Sequence, residues 1–160
     1  MLITPYDFNN SGMPVSDDIR DEEVNMAIQT VEMSYLKPLI TPEYYTELNT
    51  STLSDDDYNV LNGDGVVAGV KFALYHCVFA YLMWDRMRLT RYTSVIKDDE
   101  HSNEPDTDDL MGVCQSHWEI GIAAVIDALL AYGHEPSVEI TPQPPFAELA
   151  FPYYTKKHKH

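Results

Sequence analysis

The stretch from Val66 to about Leu89 constrains the fold more than any other, because it is apolar over most of a helical circumference. Its apolar and aromatic residues recur at three- and four-residue spacings on more than one side, which predicts the central helix of a bundle. Lys71 and His76 interrupt the stretch, so we interpret it as a core helix and not as a membrane span. At 160 residues, the chain fits a single domain around such a helix.

A second long helix is predicted over residues 108–132. Its apolar residues recur on one face, Thr107 is suited to cap its N-terminus, and Gly133 is the residue type that commonly ends a helix. Two short amphipathic helices are predicted to follow the hydroxyl caps Thr41 and Ser54.

The first helix is predicted to begin after Ser16, whose hydroxyl precedes a run of acidic residues that suits the positive end of a helix dipole. Pro38 is predicted to end this helix, since proline cannot continue a helix interior. The preceding residues 1–15 contain two prolines, Gly12 and two adjacent asparagines, so we interpret them as an extended arm.

The remaining segments complete the predicted organisation. Residues 89–105 are a candidate β-hairpin, because their first part is rich in β-branched and aromatic residues that partly alternate with other residue types, as in a strand. The core domain then covers 16–134, and five prolines make 135–160 an extended tail. The sequence therefore predicts a mainly all-α fold: a small helical bundle with two long helices, short helices, the candidate hairpin, and extended N- and C-terminal arms.

The predicted tail carries spaced apolar residues, which are typical of a segment that binds a folded surface. These candidate anchors are Phe146, Leu149, Phe151, Tyr153 and Tyr154. The surface they bind is either the chain's own core or a neighbouring protein, and the sequence leaves both alternatives open.

The chain is strongly acidic, with a formal net charge of −16. Residues 1–155 hold all 26 acidic side chains and 7 of the basic ones, which gives −19, and three lysines follow in the last five residues. Such a body repels the phosphate backbone, which argues against DNA or RNA binding through a basic face. Two explanations of the negative charge remain: it keeps the protein soluble, or it forms a surface that faces nucleic acid without binding it.

The residues that could carry chemistry do not form a recognisable catalytic or metal motif. Cys114 and His117 share a helix face, but His76 and Cys77 are adjacent and lie about 100° apart around their helix, whereas a zinc site needs all four ligands to converge. Both pairs also lie within apolar helical patterns, so we interpret them as core residues. The run that begins at Asp55 lacks the glycine and glutamate of a calcium-binding EF-hand loop. The sequence therefore predicts no enzyme activity and no cofactor or metal.

Several local phrases resemble the head–tail connector (adaptor, or ring) proteins of tailed bacteriophages, in particular the ring proteins of crAss-like phages. The phrases are YLKPLI at 35–40, TPEYYTEL at 41–48, RYTSVIK at 91–97 and CQSHWE at 114–119, in that order between an acidic first helix and an extended tail. The resemblance covers roughly residues 16–135. In the family, a glycine usually follows the tyrosine of the segment that corresponds to 91–97, and this chain has Thr93 at that position.

This resemblance implies a structural virion protein at the head–tail junction. A small α-helical subunit would assemble as a ring of commonly twelve copies below the portal protein, and it would dock neighbouring ring or tail proteins. Genomic DNA would pass through the ring without specific binding, and no membrane would be involved.

In such a ring, negative charge lining the channel would let DNA slide without tight contacts. The candidate channel-facing acids are Asp55, Asp56, Asp57, Asp98, Asp99 and Glu100. The alternative hypothesis is an acidic regulatory protein that mimics DNA and occupies a nucleic-acid-binding partner.

Overall fold

The computed structural model describes residues 1–13, 19–50, 52–94 and 107–137, except for the side chains of 86–94 and 107–109. Within these ranges the regular structure is helical and no strand occurs, which confirms the predicted mainly all-α fold class. The elements are α1 (Pro5–Asn9), α2 (Asp21–Val31), a π-helical segment (Glu32–Leu36), α3 (Lys37–Ile40), α4 (Pro42–Leu48), α5 (Asp55–Asn62), α6 (Val70–Ser94) and α7 (Thr107–Ala131).

The two long helices, α6 and α7, form the most extensively packed pair, and α2 and α5 pack against α6. Contacts shift from Ala73–Gly121 to Phe79–His117, so the residue number falls along α7 as it rises along α6. The two helices are therefore antiparallel. Their facing side chains, together with those of α2, the π-helical segment and α5, form one apolar core.

The end of α6 corrects one prediction. The helix continues to Ser94, so the residues from Leu89 to Ser94 are helical and do not form the first strand of a hairpin. Extending an existing helix adds one hydrogen bond for each residue whose backbone is fixed, so it is much more favourable than starting a new helix. This favourable free energy exceeds the small cost of placing threonine and tyrosine in a helix. The rest of the candidate hairpin, 95–105, lies outside the described residues.

The N-terminal residues also differ from the prediction, because 1–13 are not an extended arm. Thr4 caps α1 through a reciprocal capping box with Asp7, and Leu2, Ile3 and Phe8 are buried in the core. Burying three large apolar side chains favours docking by several kcal/mol, at about 1.5–3 kcal/mol for each side chain. The segment therefore belongs to the domain.

Two further predictions concern the helix that contains α2. It begins at Asp21 after Arg20, not after Ser16, which lies outside the described residues. Pro38 does not end it: the helix passes through the π-helical segment into α3 and stops at Thr41, where φ is +81°. A proline ring clashes with the carbonyl four residues earlier, and the wider π turn there leaves room for it.

The predicted caps of the shorter elements are confirmed. The hydroxyls of Thr41 and Ser54 accept hydrogen bonds from the backbone amides of Tyr44 and Asp57. At the end of α7, Gly133 has φ of +79°, and the amides of residues 133 and 134 donate to the carbonyls of 130 and 129. This pair of bonds is a Schellman motif, which requires the left-handed conformation that glycine adopts freely.

The segment Leu110–Ala131 of α7 is long and apolar enough to cross a membrane by length and composition alone. In the fold, Cys114, Trp118, Val125 and Leu129 on this helix are buried in the core. A core helix passes the same compositional test as a membrane span.

Candidate interaction surface

The α6–α7 interface contains a close helix–helix contact at Gly121, opposite the first two turns of α6. A Cβ atom at this position would overlap Cys77 Sγ and lie 2.8 Å from the carbonyl oxygen of Ala73. Small residues let two helix backbones approach closely, and glycine is the smallest. The short interhelical distance here determines how the side chains on both sides of the interface are arranged.

On one side of this contact, α6 and α7 border an apolar cleft of about 420 Å³. It is lined by Val66, Val67, Ala68, Phe72, Ile120, Ala123, Ala124 and Asp127. Phe72 is 41% exposed, Ile120 is 42% exposed and Val66, before α6, is 92% exposed. Large apolar side chains that converge on an open cleft are typical of a surface that binds another segment.

The N-terminal end of the cleft wall is a tight turn that carries a carboxylate. Asp64 Oδ1 accepts hydrogen bonds of 2.8 Å from the amides of both Val66 and Val67, and its Oδ2 accepts one from the Tyr132 hydroxyl. These bonds lower the pKa of Asp64, so its carboxylate is charged. With Asp127 in the lining, the charge near the cleft is negative.

Two stacked histidines lie next to the cleft. The rings of His76 and His117 are 4.9 Å apart between centroids, and Phe72 and Phe79 pack against their outer sides at 4.5 and 4.6 Å. The Nδ1 atom of each histidine is buried and has no hydrogen-bond partner among the residues that the structure describes. Desolvation lowers the pKa of both imidazoles, and the proximity of His117 lowers that of His76 further.

The two cysteines close to these histidines in the sequence are core residues. Both thiols are free and fully buried, and burial raises the pKa of Cys77 to about 12 and of Cys114 to about 11. Within the described ranges, no three histidine, cysteine or acidic side chains lie close enough together to hold a metal ion. The four residues singled out from the sequence therefore separate into a histidine stack and two core thiols.

The candidate channel acids fall into two groups. Asp55 and Asp56 are exposed in the first turn of α5. Asp57 accepts hydrogen bonds from the Ser54 hydroxyl at 2.6 Å and the Tyr44 hydroxyl at 2.8 Å, which lower its pKa. Asp57 therefore stabilises the α4–α5 junction. The second group, Asp98, Asp99 and Glu100, lies outside the described residues, as do the five tail anchors.

The structure reveals one ionisable residue that the sequence analysis missed. Glu32 is fully buried; its Oε1 accepts from the Leu2 amide at 2.7 Å, and its Oε2 accepts from the Tyr45 hydroxyl at 2.6 Å. The carboxylate therefore joins the N-terminal segment, the π-helical segment and α4. A signal was present, because Glu32 follows Ile28 by four residues and so lies on the apolar face of its helix.

These features define a small all-α protein whose described part has an apolar cleft with a negatively charged border. No family model, no curated protein and no solved structure matches the chain. The arrangement is suited to binding a peptide segment or a protein surface.

Proposed function

We propose that this chain is a structural protein that assembles as a ring, and that it acts as a head–tail connector below the portal of a tailed bacteriophage. Its partners would be further copies of itself, the portal protein and neighbouring ring or tail proteins. The observation that carries the proposal is the combination of a mainly helical chain, whose residues 1–155 carry a formal charge of −19, with sequence segments that resemble the connector family.

Three of those phrases lie on elements that pack together. Residues 35–48 run through the end of the π-helical segment, α3 and α4, and residues 114–119 are part of α7. Tyr35 and Trp118, one from each region, meet edge to ring with centroids 4.9 Å apart. The phrases therefore lie on neighbouring parts of one core, which supports the view that they belong to one structural unit.

The negative charge gives the proposed ring a physical mechanism. Exposed carboxylates such as Asp55 and Asp56 would repel the DNA backbone and keep the passing duplex from binding the channel wall. At physiological salt this repulsion acts over about 8 Å, so only side chains at the lumen surface would contribute. Acids on the outer surface would serve solubility instead.

The proposal requires a portal protein in the same phage genome, and it is tested by mixing the purified full chain with that protein. Mass photometry and electron microscopy should show a ring, expected to hold twelve subunits, bound to the portal. Replacing the tail anchors Tyr153 and Tyr154 with serine should weaken assembly, while replacing the exposed Tyr58 of α5 should not. A chain that neither binds the portal nor forms rings at any concentration would contradict the proposal.

The same charge also favours the second candidate, a DNA mimic. Such a protein would remain a monomer or dimer and would compete with duplex DNA for a DNA-binding partner. A ring in complex with the portal, without such competition, would exclude this alternative.

A further inference from the structure

We propose that, in the free subunit, the cleft between α6 and α7 binds the C-terminal segment of the same chain, residues 146–159. The proposal concerns the unassembled chain and does not depend on ring formation. It assigns to the cleft an occupant that the described residues do not supply.

The cleft and the C-terminal segment both expose apolar side chains that could cover one another. The cleft presents Val66, Phe72 and Ile120 to solvent, and all three are more than 40% exposed. The C-terminal segment offers three phenyl or phenol rings within four residues, at Phe151, Tyr153 and Tyr154, after two further apolar anchors. Covering such a cleft removes apolar surface from water at about 25 cal/mol for each Å².

The cleft border and the end of the C-terminal segment carry opposite charges. Asp127 lines the cleft, and Asp64 lies at the turn that forms its border. Among the described lining residues there is no basic side chain to offset this negative charge. Residues 156–160 read Lys-Lys-His-Lys-His and follow the aromatic anchors directly. Within this chain, residues 146–159 are the segment that combines clustered aromatic side chains with three nearby lysines.

The chain between the domain and the aromatic anchors is long enough for the anchors to reach the cleft. The amide of Ser137 donates a hydrogen bond of 2.9 Å to the Leu39 carbonyl, which attaches the chain to the domain at that point. Nine residue steps separate Ser137 from Phe146, and an extended chain covers about 30 Å in that length. A domain of this size has a radius of gyration of about 14 Å, which corresponds to a sphere roughly 36 Å across. The aromatic anchors at 151–154 lie 14 to 17 steps beyond Ser137, a length in which an extended chain covers about 46–56 Å, so they can reach round much of the domain.

Covalent tethering favours the chain's own segment over that of a neighbour. A short linker that can span two sites gives an effective concentration of up to the millimolar range, far above the concentration of other copies in dilute solution. The anchors would then have to leave the cleft before they bind a partner, so this contact would restrain premature association.

The test uses the full chain with two added cysteines, Val66→Cys at the cleft and Ala150→Cys between two anchors. With oxidised glutathione as the oxidant, we expect an intrachain disulfide at dilute protein concentration, seen as a faster-migrating monomer band on a non-reducing gel. Val66 is almost fully exposed, so its replacement should leave folding unchanged. The native cysteines are buried and protonated, and the single Val66→Cys variant measures any contribution from them.

The matched control pairs Ala150→Cys with Met26→Cys, an exposed position on α2 outside the cleft lining. The Val66 pair should form its disulfide at least about tenfold faster than the Met26 pair, because docking raises the local concentration of the tail thiol. Phe151→Ser with Tyr153→Ser should remove this difference, and high salt should reduce it. Equal rates for the two pairs would overturn the proposal, and a dimer band alone would assign the cleft to the tail of a neighbouring copy.

Discussion

Gly121 of α7 lies directly against Cys77 of α6, with no room between the two helices for even one additional carbon atom. The same position lies 2.8 Å, measured from where a Cβ would stand, from the backbone oxygen of Ala73. Because a backbone atom cannot move aside as a flexible side chain can, the contact fixes the separation of the two longest helices. The cleft and the histidine stack both depend on that separation.

The first prediction is that Gly121→Ala lowers the free energy of unfolding by about 1–3 kcal/mol, since overpacking a tight core forces backbone shifts. Urea denaturation followed by circular dichroism measures it. Gly112→Ala on the same helix is the matched control, because a Cβ there would meet no atom of the described residues within 4 Å. That substitution should instead stabilise the protein by about 0.5–1 kcal/mol, the usual gain from replacing glycine in a helix. Two changes of the same sign would contradict this explanation.

The second prediction concerns the buried carboxylate of Glu32. Glu32→Ala should lower the free energy of unfolding by about 3 kcal/mol, because it leaves the Leu2 amide and the Tyr45 hydroxyl buried without an acceptor. Glu47→Ala, at an exposed position of α4, should change it by no more than about 0.5 kcal/mol. Hydrogen exchange should also show earlier opening of residues 2–8 in the Glu32 variant. An equal effect of the two substitutions would show that the buried carboxylate contributes nothing specific.

The third prediction is a loss of stability in mild acid that originates in the histidine stack. His76 and His117 have pKa values below that of a free histidine, so the unfolded chain binds protons more readily than the folded one. Stability should therefore decrease as the pH falls through the unfolded value of about 6.5 towards the folded values, and change no further from this source below them.

The double variant His76→Leu with His117→Leu should have a flatter stability profile as the pH falls from 7 through the unfolded histidine value of about 6.5. His134→Gln removes a histidine that stacks on Tyr44 and leaves the pair intact, so it should retain the slope contributed by the pair. Thermal melts at a series of pH values measure both. If the double variant keeps the full slope, other groups are responsible for it.

The fourth prediction separates two neighbouring aspartates. Asp57→Asn should destabilise the protein by about 0.5–1 kcal/mol at pH 7, because the charged form accepts bonds from Ser54 and Tyr44 at a largely exposed helix start. Asp56→Asn should have a smaller effect, since Asp56 is exposed and lies outside that hydrogen-bonded group.

The pH dependence provides an internal check on this pair. The pKa of Asp57 is lowered in the folded state, so its contribution is present above the unfolded value of about 3.9 and is lost as the pH falls through the folded one. The difference between wild type and Asp57→Asn should therefore shrink at pH 2. A difference that persists there would mean that charge on Asp57 is not the cause.

Local signals in the sequence determined the helical class and the boundaries of α5 and α7 together with the start of α4. The caps at Thr41 and Ser54 and the stop at Gly133 depend on hydrogen bonds between residues within five positions of each other, so they can be read from the chain directly. The prediction that both cysteines are core residues followed from helical periodicity, and both are buried. The predictions that concern 95–105 and the five tail anchors lie outside the described residues.

Only the tertiary structure decided the features that depend on distant contacts. Leu2, Ile3 and Phe8 become core residues because a surface formed elsewhere in the chain accepts them, and Glu32 is tolerated in the core because Leu2 and Tyr45 supply its donors. Pro38 continues a helix because the preceding turn widens, which no local propensity indicates. The cleft exists because Gly121 brings α7 onto α6, and the two residues in contact there, Cys77 and Gly121, are separated by 44 positions in the sequence. Periodicity identifies which face of a helix is buried, but the partner of that face is determined by the packing of the whole chain.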